Sequence, residues 1–172
     1  MHFFGLFIVL LAVSFQAMVN GEDCIDTKTQ AKEIAECCDM HNPIDLSVAE
    51  ECVEKYKDLS GEELIACIYE CVGDKTGVIQ GTTVSKDKLL ESANNVPDEE
   101  MKKVVIAAIE LCTEQAAKLA EETANHSMKC SPFAFMVGEC IMRHIYAECP
   151  ESFWKKSDVC DKIKAGVPKC PQ

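Results

Sequence analysis

The sequence has little of what several large functional classes require. Basic residues are scarce, with 17 Lys and Arg against 29 Asp and Glu and a net charge of −12. Nucleic acid is therefore disfavoured as a partner, because phosphate binding needs a basic footprint. No apolar run reaches the roughly 20 residues of a transmembrane helix, so no membrane insertion is expected. There is no Gly-x-Ser-x-Gly elbow to expose a serine nucleophile. No second close cysteine pair follows Cys67 and Cys71 at finger-like distance, and the histidines do not repeat at ligand spacing, so neither zinc nor any other metal or cofactor is expected. Strand-like alternation, internal repeats and low-complexity segments are also missing, which leaves helices.

What is present starts with an apolar run from Phe3 to Val13, followed by Val19-Asn20-Gly21. That pattern reads as a secretory signal peptide over 1–21, although no Lys or Arg precedes the run. Residues 22–172 then form a single domain of about 150 residues, long enough for a real core. All twelve cysteines lie in that part. An even, dense set behind a leader implies a secreted, extracellular chain held by disulfides. The acidic excess suits solubility at high concentration.

The chain is organised around Cys67-Ile-Tyr-Glu-Cys71. Cysteines four apart on a helix lie one turn above each other, so two other segments must pack against that face. Ser60-Gly-Glu-Glu63 ahead of it, and Ser47-Val-Ala-Glu50 earlier, have capping-box spacing. Helical spacing also marks 27–38, with Asp26 or Thr27 as cap. There Cys37 and Cys38 point about 100° apart and cannot easily serve one partner segment. Ser85 starts a short helix to Ala93. The longest helix is expected over 98–124, with Met101, Val104, Val105, Ala108, Ile109, Cys112, Ala116, Leu119 and Ala120 on one stripe. Ser131-Pro132 opens another, running toward Cys149-Pro150. Phe133, Phe135, Met136, Val137, Ile141, Met142, Ile145 and Tyr146 make it apolar nearly all round, as expected of a central helix or one lining a cavity. The extension over 150–172 reads as short helix and wrapped coil.

Two motifs invite chemistry. Cys37-Cys38-Asp39-Met40-His41-Asn42 resembles the active-site helix of secreted phospholipases A2. The residue after His41 is Asn42, Pro43 interrupts the helix and no Gly-rich calcium loop lies upstream, so no catalytic residue and no enzyme activity is assigned. Asn125-His126-Ser127 is a glycosylation sequon.

The cysteine ladder carries the most information. Three residues separate Cys67 from Cys71, then forty, seventeen, nine and eight lead to Cys112, Cys130, Cys140 and Cys149, and Pro150 follows at once. This ladder resembles that of the Plus-C subgroup of insect odorant-binding proteins. The resemblance implies an all-α fold, a compact disulfide-stapled bundle of about six to eight helices around an apolar cavity. It implies a carrier of small hydrophobic, odorant or pheromone-like molecules in sensory fluid, with an olfactory receptor or a second copy of the chain as candidate partners. Six-cysteine members pair the first cysteine with the third, the second with the fifth and the fourth with the sixth. Carried over, Cys67 would bond Cys140, and Cys71 would bond Cys38 by preference. Cys112 and Cys130 both qualify for the fourth position, and the nine-residue gap to Cys140 favours Cys130 with Cys149. The pairing of Cys24, Cys37, Cys52, Cys112, Cys160 and Cys170 stays open.

Ligand contacts are expected from Phe133, Met136, Met142, Ile145 and Tyr146, with Ile65, Ile68 and Tyr69 from the double-cysteine helix and Val105, Ile109 and Leu111 from the long one. A solid core is the competing role for the same residues. The alternative function is a secreted effector or immune protein of the same fold that binds macromolecules or lipid.

Overall fold

The computed structural model describes residues 24–40 and 46–170. The expected leader, and His41 to Pro43 of the phospholipase-like stretch, lie outside those residues. Among the described residues there are eight helices: α1 (Thr27–Ala35), α2 (Leu46–Lys55), α3 (Gly61–Thr76), α4 (Lys86–Ala93), α5 (Glu99–Glu114), α6 (Ala116–Thr123), α7 (Phe133–Glu148) and α8 (Asp158–Lys164). A small antiparallel hairpin of β1 (Ile79–Gln80) and β2 (Thr83–Val84) follows α3, where the sequence suggested only a turn-rich loop. Gly77 turns the chain into it at φ 66°, a left-handed cap that glycine reaches without a Cβ clash.

Local signals act as their chemistry dictates at some helix starts and fail at others. Asp26 accepts from the Lys28 and Thr29 backbone N–H groups, and Asp98 from Glu100 and Met101, so α1 and α5 begin on real caps. The Ser131 hydroxyl accepts from Phe133 N at 3.2 Å and starts α7. The Ser60 capping box does not close: its hydroxyl makes no cap bond, and Glu63 instead accepts from the Lys129 backbone N–H at 3.0 Å. Ser47 stands inside α2, which starts at Leu46.

The expected helix over 98–124 is two helices, broken at Gln115. Just before the break the Thr113 hydroxyl bonds back to the Ile109 and Glu110 carbonyls, a side-chain competition that bends helices. The bend has a packing consequence. Met101, Val105, Ala108 and Ile109 of α5 enter one apolar cluster with Ala93, Val96, Ile145 and Trp154, while Leu119 of α6 enters another with Ile79, Phe133, Ala134 and Val137. Helix α7 joins the two: its first turns lie in the second cluster, Ile145 lies in the first, and Ile141 packs on both. Its central position is what an all-round apolar helix requires.

Six disulfides tie this frame: Cys24–Cys170, Cys37–Cys160, Cys38–Cys149, Cys52–Cys71, Cys67–Cys130 and Cys112–Cys140, with Cα–Cα distances of 4.9 to 6.1 Å. No cysteine among the described residues is free. The expected bonds Cys38–Cys71, Cys67–Cys140 and Cys130–Cys149 are all corrected. The pairing rule itself survives in another register: Cys52, Cys67, Cys71, Cys112, Cys130 and Cys140, taken in order, pair first with third, second with fifth and fourth with sixth. Cys71 meets Cys52 because α2 packs antiparallel beside α3 only 19 residues back in sequence. Cys67 meets Cys130 because Glu63 and Glu70, on the same face of α3, accept from the backbone N–H groups of Lys129 and Ser131 on either side of it. Cys140 is then left facing Cys112 across α5 and α7.

The other six cysteines join the two ends of the chain. The helix expected over 27–38 ends at Ala35, so Cys37 and Cys38 lie beyond it, Cys38 in the bridge to Trp154, and they reach different segments from non-helical backbone. Backbone bonds reinforce the link: Asp39 N donates to Phe153 O and Lys155 N to Cys37 O, while Ile25 N donates to Pro168 O and Cys170 N to Ile25 O.

Candidate functional site

Helix α1 contains no fully buried residue. It is held by cross-links just beyond both of its ends, and its apolar side is left facing a surface cleft of about 930 Å³. Ala31, Ile34 and Ala35 of α1, Met40, Tyr69 of α3, Met142 and Tyr146 of α7, and Phe153 with Trp154 form most of its apolar wall. A smaller cleft of about 340 Å³ shares Ile34, Glu139, Met142, Tyr146 and Lys169, and continues along Ile25, Ile163, Val167 and Pro168.

The geometry of α7 explains the wall. Ala134, Val137, Ile141 and Ile145 form the stripe turned to the core, and Glu139, Met142 and Tyr146, at helical spacing, form a second stripe turned to the cleft. Tyr146 meets Trp154 edge-on at 6.5 Å between ring centroids, and Lys164 Nζ lies 4.8 Å from the Trp154 ring. The bridge between Cys38 and Trp154 holds that indole in place. Tyr69 crosses α7 at Gly138 and packs edge-on against Phe135 at 5.4 Å.

The polar groups of the cleft are mostly paired. Glu36 accepts from Lys155 at 2.7 Å, which holds its carboxyl below the usual range and pushes the Lys155 ammonium up. Glu139 on α7 pairs with Lys169 of the C-terminal segment, fixing that segment beside the cleft. Burial, then the Glu139 charge, pushes the Tyr69 phenol up. Burial, Glu139 and Tyr69 push Tyr146 up to about 12.

Of the residues expected to touch ligand, the structure brings Tyr69, Met142 and Tyr146 together in this cleft. The other eight lie elsewhere. Val105, Ile109 and Ile145 are buried in one core cluster, Phe133 is buried in the other with Met136 packed on it, Ile65 and Ile68 are half-buried on α3, and Leu111 is exposed on α5. The two clefts border the side of α7 that carries Glu139, Met142 and Tyr146, against α1 and the C-terminal segment. Sequence reasoning missed Ile34, Met40, Phe153 and Trp154. A signal was available in Phe153-Trp154, which holds the chain's one tryptophan and sits among charges in a stretch read as coil, where only docking explains it.

Among the described residues no group of three or more His, Cys, Asp or Glu side chains is placed to hold a metal ion, and no helix is long and apolar enough to cross a membrane. Cys37 and Cys38 of the phospholipase-like stretch are consumed in disulfides.

Comparison with known proteins decides the family. The model of the PBP/GOBP family matches residues 22–132. The chain belongs to the PBP/GOBP family. A relative, Odorant-binding protein 47 of Anopheles gambiae, is 22% identical over 182 residues, covering 95% of this chain and 80% of its own length. The PBP/GOBP match takes in Ile34, Met40 and Tyr69 of the cleft, and the α7 stripe with Phe153 and Trp154 lies beyond it.

Proposed function

We propose that the protein is a secreted carrier of small hydrophobic molecules, binding them in the cleft between α1, α7 and the C-terminal segment and moving them through extracellular sensory fluid. The cleft carries this reading: about 930 Å³ is within the roughly 300–1,000 Å³ typical of small-molecule sites, and its wall is aromatic and methionine-rich, soft enough for varied shapes. The PBP/GOBP membership and the odorant-binding relative support it. Three disulfides that add the chain ends to the six-cysteine pattern support placement in the Plus-C subgroup. The family match starting at residue 22 supports removal of 1–21 as a leader. The protein acts by binding, without catalysis.

Trp154 gives a direct test, being the chain's one tryptophan and part of the cleft wall. A ligand entering the cleft should change its emission saturably, and should displace the apolar probe N-phenyl-1-naphthylamine over the same concentration range. Met142→Ala should reorder ligand preference, while Leu111→Ala, exposed and away from the cleft, should not. Absence of saturable binding by any apolar volatile would remove the carrier function.

A further inference from the structure

The two clefts share Ile34, Met142 and Tyr146, so they join into one groove that reaches from Trp154 to Ile163 and Val167. Their charges differ. Glu36, Asp39 and Glu139 line the larger cleft against Lys155 and Lys169, which leaves one acid in excess. Glu139, Arg143 and Lys169 are the charged groups in the largely apolar wall of the smaller cleft, which leaves one cation in excess. Arg143 stands one turn after Glu139 on α7, the spacing at which glutamate and arginine ordinarily pair. Glu139 is instead taken by Lys169 of the C-terminal segment, and the exposed Arg143 guanidinium has no hydrogen bond or ion pair among the described residues. A guanidinium without a partner thus stands at the edge of an apolar groove. Its planar fork matches a carboxylate through two parallel hydrogen bonds. The net charge of −12 repels anions at long range, but ionic screening beyond about 8 Å leaves the choice to the charges at the site.

From this juxtaposition we infer that the joined clefts bind a long-chain monocarboxylate, its head on the Arg143 guanidinium and its chain running past Ile34, Met142 and Tyr146 toward Trp154. One cation in excess at the head end matches a single negative charge, and the excess acid of the larger cleft sets the direction of the chain. Alcohols of the same length lack the charge. The inference rests on the carrier reading and names its ligand class.

A matched series tests it: dodecanoate, 1-dodecanol and octanoate at neutral pH and below micellar concentrations, each followed by Trp154 emission and by displacement of N-phenyl-1-naphthylamine from the intact disulfide-bonded protein. Dodecanoate should bind about threefold to tenfold more tightly than 1-dodecanol, between what an exposed ion pair and a charge-assisted hydrogen bond provide. Its four additional methylenes should place it about tenfold or more above octanoate. In Arg143→Gln the ratio of dodecanoate to dodecanol affinity should fall to about one. Glu139→Gln removes the acid beside the head and releases Lys169, so the same ratio should rise by about twofold or more. Equal binding of dodecanoate and dodecanol by the native protein overturns the inference and leaves the carrier reading standing. Survival of the carboxylate preference in Arg143→Gln, its loss in Glu139→Gln, or octanoate binding as tightly as dodecanoate does the same. If none of the three binds and the naphthylamine probe is not taken up, the carrier reading falls and takes this inference with it.

Discussion

Gly138 offers a test of how α3 and α7 share the wall of the cleft. It lies in the middle of α7, and a Cβ built there would stand 2.6 Å from Tyr69 Cε1 and 3.2 Å from Cδ1, with the three nearest heavy atoms all belonging to that ring. Two effects oppose each other in Gly138→Ala. Replacing glycine by alanine inside a helix gains about 1 kcal/mol of backbone propensity. Forcing a methyl into occupied space costs about 1–3 kcal/mol, and displacing the Tyr69 ring also puts at risk the edge-on contact with Phe135, worth about 0.5–1.5 kcal/mol. The clash should win by about 1–2 kcal/mol, since the ring is held between Gly138 and Phe135 although the residue keeps 38% of its surface exposed. In a Tyr69→Ala background the obstructing ring is absent and only the propensity term remains, so the same Gly138→Ala change should stabilise by about 1 kcal/mol. Urea unfolding with disulfides intact, followed by helical circular dichroism and Trp154 emission, measures all four members of the cycle. A change of the same sign and size in both backgrounds would refute the packing of Tyr69 over Gly138, and with it the place of Tyr69 in the cleft wall.

Other outcomes follow from the same structure. Peptide mapping of the unreduced protein should recover Cys52–Cys71, Cys67–Cys130 and Cys112–Cys140, and a Cys67–Cys140 or Cys130–Cys149 peptide would contradict the fold. Removing both Cys52 and Cys71 as serines should cost about 3 kcal/mol, the loop entropy of a short closure, and an unaltered urea midpoint would refute it. Tyr146 is raised from its ordinary 10.0 to about 12, so the unfolded chain ionises it first and stability should fall as pH rises from about 10 to about 12. Tyr146→Phe should flatten that part of the profile, and an unchanged slope would count against burial of the phenol. Asn125 is exposed in the turn after α6, so protein from a secreting cell should lose mass at that sequon on treatment with an N-glycosidase, and no loss would leave the sequon unused.

The sequence and the tertiary structure divided their decisions along a physical line. Helices were legible because they are local: Asp26 and Asp98 cap within three residues, and the apolar residues of α5 and α7 recur at 3.6-residue spacing whatever packs on them. The all-α class, the disulfide content and the central place of α7 needed nothing more than composition and period. Where two local options were close in energy, tertiary contacts decided. Glu63 left the Ser60 box for the Lys129 backbone, and Thr113 helped divide a continuous apolar stripe so that Leu119 could reach a second cluster.

Disulfide partners and the ligand wall were decided entirely by three-dimensional proximity. Twelve cysteines admit many pairings, and spacing alone cannot say which side chains come within bonding distance; Cys67 and Cys71 kept the second and third places, but Cys52 rather than Cys38 took the first and Cys112 rather than Cys130 the fourth, so every expected partner changed. The cleft depends on which of two apolar stripes on α7 meets the core. Val137 and Met142 look alike as hydrophobic residues in the sequence, yet one is sealed between helices and the other borders open space, because α1 is fastened through its flanking cysteines rather than pressed into the core. Burial is a property of neighbours, and neighbours 100 residues apart are set only when the chain has closed on itself, as Cys38 and Cys149 do across a separation of 111.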